Sequence, residues 1–154
     1  MTLDEITSFN FANKNVCIIG YPASGKTFLS DLICNDTHHK IHTDKYIKDG
    51  YSMALHSVLN ELSFIDNKPT LIEGVIGYRL LRKGVELGLY YPDIIIKIEI
   101  SQTKQKEIYT NERDVSKLKF LETFNTTNEK IFTEYLENCP PKKMPLIINF
   151  YNTF

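Results

Sequence analysis

The chain is poor in net charge, in arginine and in cysteine, and each shortage excludes something. Its 18 Lys and Arg residues stand against 19 Asp and Glu, a formal charge of −1, so no global positive field points to DNA or RNA. Arginine is confined to Arg79, Arg82 and Arg113. The three cysteines, Cys17, Cys34 and Cys139, are far apart and lack metal-ligand spacing, so they read as reduced structural thiols. A reducing, cytoplasmic setting is the expectation. Met1 to Asn15 is polar and holds Asp4 and Glu5, which does not fit a secretory leader. No apolar run approaches the length that spans a bilayer, so no membrane partner is expected. Repeats, linkers and low-complexity segments are also missing. The 154 residues read as one domain over 1–154, long enough to bury a core.

What is present is dominated by one run, Gly20-Tyr21-Pro22-Ala23-Ser24-Gly25-Lys26-Thr27. It satisfies the pattern G-x-x-x-x-G-K-[ST] at every fixed position. Val16-Cys17-Ile18-Ile19 before it is apolar and β-branched and predicts a buried strand. Thr27 to Cys34 after it predicts a helix with Phe28, Leu29, Leu32 and Ile33 on the inner face. Strand, glycine loop and helix in that order give the pattern its physics. Successive backbone N–H groups over Gly20, Ala23, Ser24 and Gly25 form an anion nest, and the helix N-terminus adds partial positive charge. Lys26 supplies a point charge for outer phosphates, and the Thr27 hydroxyl can ligate Mg²⁺. The expected ligands are ATP and Mg²⁺.

The rest of the chain alternates in the same way. Lys40-Ile41-His42-Thr43 predicts a second strand ending at Asp44. Met53, Leu55, Val58, Leu59, Leu62 and Ile65 follow helical spacing. Thr70-Leu71-Ile72 predicts a third strand ending at Glu73-Gly74, followed by a helix over Tyr78 to Leu87. Ile94 to Ile100 is the strongest strand pattern in the chain. A charged helical region follows from about Gln102 to Glu137, with breaks expected near Thr110 to Asp114 and near Asn125. Leu146-Ile147-Ile148 predicts a final strand. Apolar strands separated by helices imply an α/β fold with a five-stranded parallel sheet covered on both faces.

In such a sheet, chemistry gathers outside the carboxyl ends of the strands. Asp44 and Glu73 stand at two of those ends, each after an apolar strand. Either carboxylate can hold Mg²⁺, directly or through water, or take the proton from an attacking hydroxyl. The structural alternative for each is a helix N-cap or a turn acid.

The glycine loop, His42-Thr43-Asp44 ahead of Tyr46-Ile47, and Leu71-Ile72-Glu73-Gly74 together resemble the small P-loop nucleoside and nucleotide kinases. The closest pattern is that of the uridine kinase and nicotinamide riboside kinase group. The resemblance implies a three-layer P-loop NTPase fold in which the second strand lies beside the first. It implies that Asp44 binds the acceptor hydroxyl and acts as base, and that Glu73 serves the metal with Thr27. Asn111-Glu112-Arg113-Asp114 resembles the Arg-Asp element of a short helical lid, here within about 102–130, with Arg113 closing over the γ-phosphate. Lids of this group carry several arginines, whereas here Arg113 stands with Lys117 and Lys119 only. The implied reaction moves the γ-phosphate of MgATP to a hydroxyl of a nucleoside, nucleotide or related acceptor. Some compact viral, phage-like kinases of this type act instead on hydroxymethylated bases, such as 5-hydroxymethyluracil, within DNA. Asn149 to Asn152 falls where the resemblance locates adenine.

Other features weigh less. Arg79, Arg82 and Lys83 concentrate charge after Glu73-Gly74, as contacts for an anionic acceptor or as a solvated helix face. His38, His39 and His42 fit no usual zinc spacing. Tyr46, Tyr51 and Phe64 read first as core packing and second as surfaces for a stacked base. A base-reading Asn/Thr-Lys-x-Asp motif is missing, which argues against a GTPase. A nucleotide-binding switch that hydrolyses ATP without any acceptor is the alternative from another class.

Overall fold

Five short runs rich in β-branched residues form the strands: β1 (Val16–Gly20), β2 (His39–His42), β3 (Thr70–Glu73), β4 (Ile94–Glu99) and β5 (Leu146–Tyr151). The structure is a computed structural model and describes residues 1–65, 68–112 and 115–153. The strands pair in parallel in the order β2-β3-β1-β4-β5. Helices α1 (Leu3–Ser8), α2 (Lys26–Ile33), α3 (Tyr51–Ser63), α4 (Gly77–Leu87), α5 (Gln102–Glu112) and α6 (Leu118–Asn138) complete the α/β architecture.

The period of two along a strand sorts side chains into two layers. Val16 and Ile18 face a core with Ile6, Phe11, Leu29 and Ile33 from the α1 and α2 side. Cys17 and Ile19 face the opposite core with Ala54, Val58, Leu80, Leu81 and Ile131 from α3, α4 and α6. Every residue of β1 is buried. At about 1.5–3 kcal/mol for each large apolar side chain, this central strand holds the start of the glycine loop far more firmly than any surface contact does.

Three expectations need correction. The second strand does not lie beside the first: β3 stands between β2 and β1. The physical reason lies in composition. All four residues of β3 are buried, whereas only Ile41 is buried in β2, whose His39, Lys40 and His42 suit a sheet edge. On α2 the inward row is Lys26, Leu29, Ser30 and Ile33, while Phe28 and Leu32 are 51% and 46% exposed. Helix α6 runs unbroken through Asn125, because that buried amide finds a partner on α5. The polar segment from Met1 to Asn15 carries α1, anchored by the buried Ile6. Among the described residues, no helix is long and apolar enough to cross a membrane.

Candidate functional site

Strand β1 delivers Gly20 to the carboxyl edge of the sheet, and α2 begins six residues later at Lys26. Gly25 caps α2 with φ +96°, in the left-handed region that favours glycine. A Cβ at Gly25 would also lie 2.9 Å from Asn152 Nδ2. Ala23 holds φ +65° without a glycine's freedom, at a cost of about 1–2 kcal/mol. Four carbonyls of the loop are engaged by side chains. Lys26 Nζ donates to Gly20 O at 3.2 Å and to Tyr21 O at 2.8 Å, and lies 3.5 Å from Ser24 Oγ. Gln105 Nε2 donates to Pro22 O at 3.0 Å, and Asn152 Nδ2 donates to Ser24 O at 2.7 Å. Carbonyls held by donors elsewhere cannot crowd an anion at the N–H side of the loop.

The carboxylate of Glu73 is 1% exposed. Its Oε1 accepts a hydrogen bond from Thr27 Oγ1 at 3.3 Å and contacts His42 Nδ1 across the β2–β3 pair. Its Oε2 is buried with no hydrogen-bond partner among the described residues. A carboxylate oxygen so placed is costly unless a cation or donor meets it. The Thr27 hydroxyl and the Glu73 carboxylate are hard oxygen donors, so the pair fits a Mg²⁺-like ion that keeps most of its other ligands from water or phosphate. The described residues hold no cluster of three or more His, Cys, Asp or Glu side chains able to cage a metal.

Asp44 lies at the head of the 3-10 turn Thr43–Asp49 that leaves β2, and its side chain is exposed. Its Oδ1 accepts the Val75 N–H at 3.3 Å. Gly74, with φ +144°, lets this segment approach, since a Cβ there would collide with Thr43 Oγ1. The Glu73-Gly74 pair therefore combines a buried carboxylate with the bare backbone that brings Asp44 alongside it.

A cavity of about 650 Å³ gathers these parts. Residues Pro22 to Phe28 line it together with Asp44 and Glu73, and Tyr51, Val75, Phe120 and Phe124 add apolar and aromatic wall. Tyr109, Ser116 and Lys117 close the side formed by α5 and the turn before α6. Arg79, Arg82 and Lys83 are not among its walls. They line a second hollow of about 470 Å³ between α3 and α4, and Tyr51 borders both. There Arg82 pairs with Glu134 at 3.0 Å and Lys83 with Glu86 at 3.2 Å, while the Arg79 guanidinium lies 5.5 Å from the centre of the Tyr51 ring. Arg113 lies outside the described residues.

The histidines do not converge. His38 bonds to Lys14 O, His39 to Glu61 and His42 to Glu73. Of the three candidate stacking rings, Tyr51 reaches the cavity, Tyr46 donates its hydroxyl to Glu61 at 2.8 Å, and Phe64 is 77% exposed. Burial pushes the Cys17 thiol up to about 12, so it is no nucleophile at neutral pH.

Gln105, Asn125, Glu129 and Lys97 escape sequence reasoning, and Asn152, singled out with the adenine region, is found donating to Ser24 O of the loop. Tyr21 donates its hydroxyl to Glu129 at 2.8 Å, and Lys97 bridges Glu129 and Glu99. Burial and the neighbouring carboxylate of Glu129 raise the Tyr21 hydroxyl well above its ordinary value, so it stays a donor. Isolated amides and charges leave no periodic signal, whether on a polar helix or, like Lys97, within a strand. Only the rarity of a polar run that still buries residues such as Gln105 would have marked them.

No family model and no curated protein matches the sequence. The solved structures that resemble it include the following two. One is a shikimate kinase from Bacteroides thetaiotaomicron, with 13% identity and a TM-score of 0.47, covering 90% of this chain and 85% of that one. The other is a possible uridine kinase from Bacillus stearothermophilus, with 14% identity and a TM-score of 0.48, covering 94% of each chain.

Proposed function

We propose that the chain is an ATP-dependent phosphotransferase that moves the γ-phosphate of MgATP to a hydroxyl of a nucleoside, nucleotide or related small acceptor. One observation carries the reading: the lysine-bearing glycine loop and the carboxylates of Asp44 and Glu73 share the wall of one cavity. The loop N–H groups bind the phosphates, and Lys26 exchanges its carbonyl partners for phosphate oxygens. Thr27 and Glu73 would hold Mg²⁺, which when bound offsets charge on the phosphates. Asp44 is exposed to the cavity, orients the acceptor hydroxyl and accepts its proton at a carboxylate oxygen. Arg113 is the lid cation that closes over the γ-phosphate, and Lys117 stands in the cavity wall. Tyr51, Phe120 and Phe124 offer flat apolar surface to a planar acceptor. Arg79, Arg82 and Lys83 meet an anionic part of the acceptor that extends past Tyr51. The work is positioning and charge neutralisation more than covalent chemistry.

The test is a transfer screen with γ-labelled ATP over nucleosides, nucleotides, small polyols and DNA with and without hydroxymethylated bases. Label on a small acceptor is the expected result. Label on modified DNA alone would move the acceptor class to nucleic acid. Phosphate release with no labelled acceptor would replace the kinase reading with the hydrolysing switch.

A further inference from the structure

The left-handed backbone at Ala23 is flanked on both sides by carbonyls that distant side chains hold. Pro22 O accepts from Gln105 Nε2 at 3.0 Å, and Ser24 O accepts from Asn152 Nδ2 at 2.7 Å. Ala23 itself has φ +65°. A non-glycine residue keeps such a conformation only where its surroundings over-determine it. The two pins come from opposite parts of the chain: Gln105 from the first turns of α5, Asn152 from the residue after β5.

Gln105 is built for this task. It is 1% exposed in a helix whose other side chains are mostly solvated, and both ends of its amide are used. The Oε1 end accepts from Asn125 Nδ2 at 2.8 Å, and Asn125 is itself 3% exposed on α6. An amide held at both ends has one orientation, so its Nε2 is fixed toward Pro22 O. Asn152 is held through its backbone instead. Its backbone N–H bonds to Glu99 O at 2.9 Å, which ties it to the end of β4.

We propose that Gln105 and Asn152 are positioning residues that clamp Ala23 in its left-handed conformation and so hold the loop N–H groups ready for the donor phosphates. Asn125 acts behind Gln105. The proposal rests on the reading of the loop as the nucleotide site. It explains how a loop with alanine at a position that suits glycine keeps its shape. It also makes the α5–α6 pair, which carries the cavity's Tyr109 and Phe124 wall, mechanically continuous with the loop.

The experiment is a titration of the full chain with the fluorescent nucleotide mant-ATP in Mg²⁺, alongside thermal melts. Gln105→Met keeps side-chain size and removes the donor. Asn152→Ala removes the other donor at a partly exposed position near the end of the sheet. Asn152→Ala is expected to melt close to the wild type and Gln105→Met lower but still cooperatively, and each to bind mant-ATP about tenfold more weakly. The distinguishing step adds Ala23→Gly to each. Glycine adopts φ near +65° without strain, so the double variants are expected to recover most of the lost affinity. A residue that merely supported the fold would show no such rescue. Affinity unchanged in both single variants, or a loss that Ala23→Gly fails to restore, overturns the clamp. Asn152→Ala decides the matter alone if Gln105→Met does not fold. If the wild type binds no mant-ATP, the nucleotide reading and the clamp fall together, whereas tight wild-type binding with indifferent variants removes the clamp only.

Discussion

The two hollows bordered by Tyr51 are built on different principles. Around the glycine loop, Lys26, Ser24, Gln105 and Glu73 are all buried, and each bond comes from a side chain with little freedom. In the hollow between α3 and α4, the cations are half-exposed and Arg82 and Lys83 are already matched with Glu134 and Glu86. The first is held by buried side chains that have little freedom left to lose, so a ligand there meets little ordering cost. The second must break ion pairs before it can grip an anion, and surface pairs of this kind contribute about 0–1 kcal/mol each. Substitutions should therefore have steep consequences in one hollow and shallow ones in the other.

The steepest is expected at Asp44. Asp44→Asn keeps size and hydrogen bonding but removes basicity, so kcat should fall by about two to four orders of magnitude with mant-ATP binding unchanged. Lys26→Ala should cost about two to three orders of magnitude in kcat/KM, as loss of one charged donor aimed at the transferring group does. Its fold should survive, because Lys26 Nζ serves loop carbonyls and packs no core. Glu73→Gln comes next. Removing the charge beside Thr27 should raise the Mg²⁺ concentration for half-maximal rate about tenfold or more, read from a metal titration at saturating ATP. Near-normal Mg²⁺ dependence in Glu73→Gln, with the metal defect in Asp44→Asn instead, would reverse the two roles. The smallest effect belongs to the second hollow. Arg82→Ala combined with Lys83→Ala should raise the KM of an anionic acceptor about two- to fivefold and leave that of ATP alone. A hundredfold rise would break the comparison and make that hollow a built site.

Much of this contrast was legible in the sequence, because local patterns carry it. The run from Gly20 to Thr27 fixes strand, loop and helix by glycine placement and flanking apolar residues, and all three occur as read. The five strands and their parallel sense follow from continuous apolar runs separated by helices. Strand order was misread, although the signal existed: His39, Lys40 and His42 mark β2 as an edge, and Thr70 to Glu73 reads as interior. The amide chain from Asn125 through Gln105 to Pro22 left no trace. Its partners are 20 and 83 residues apart in sequence, and a buried glutamine in a polar helix looks like any solvated one. The outward turn of Phe28 and Leu32 was hidden for a related reason. Helical spacing gives a face, while the choice between adjacent faces belongs to the loop that sets where α2 begins.

The central claim is transfer to an acceptor, and one measurement addresses it directly. ADP, free phosphate and phosphorylated acceptor are quantified together in a single reaction of the wild type with γ-labelled ATP, Mg²⁺ and the best acceptor from the screen. The account predicts one phosphorylated acceptor for each ADP, little free phosphate, and loss of both products in Asp44→Asn. ADP matched by free phosphate instead, at a rate indifferent to acceptor and to Asp44→Asn, would contradict it.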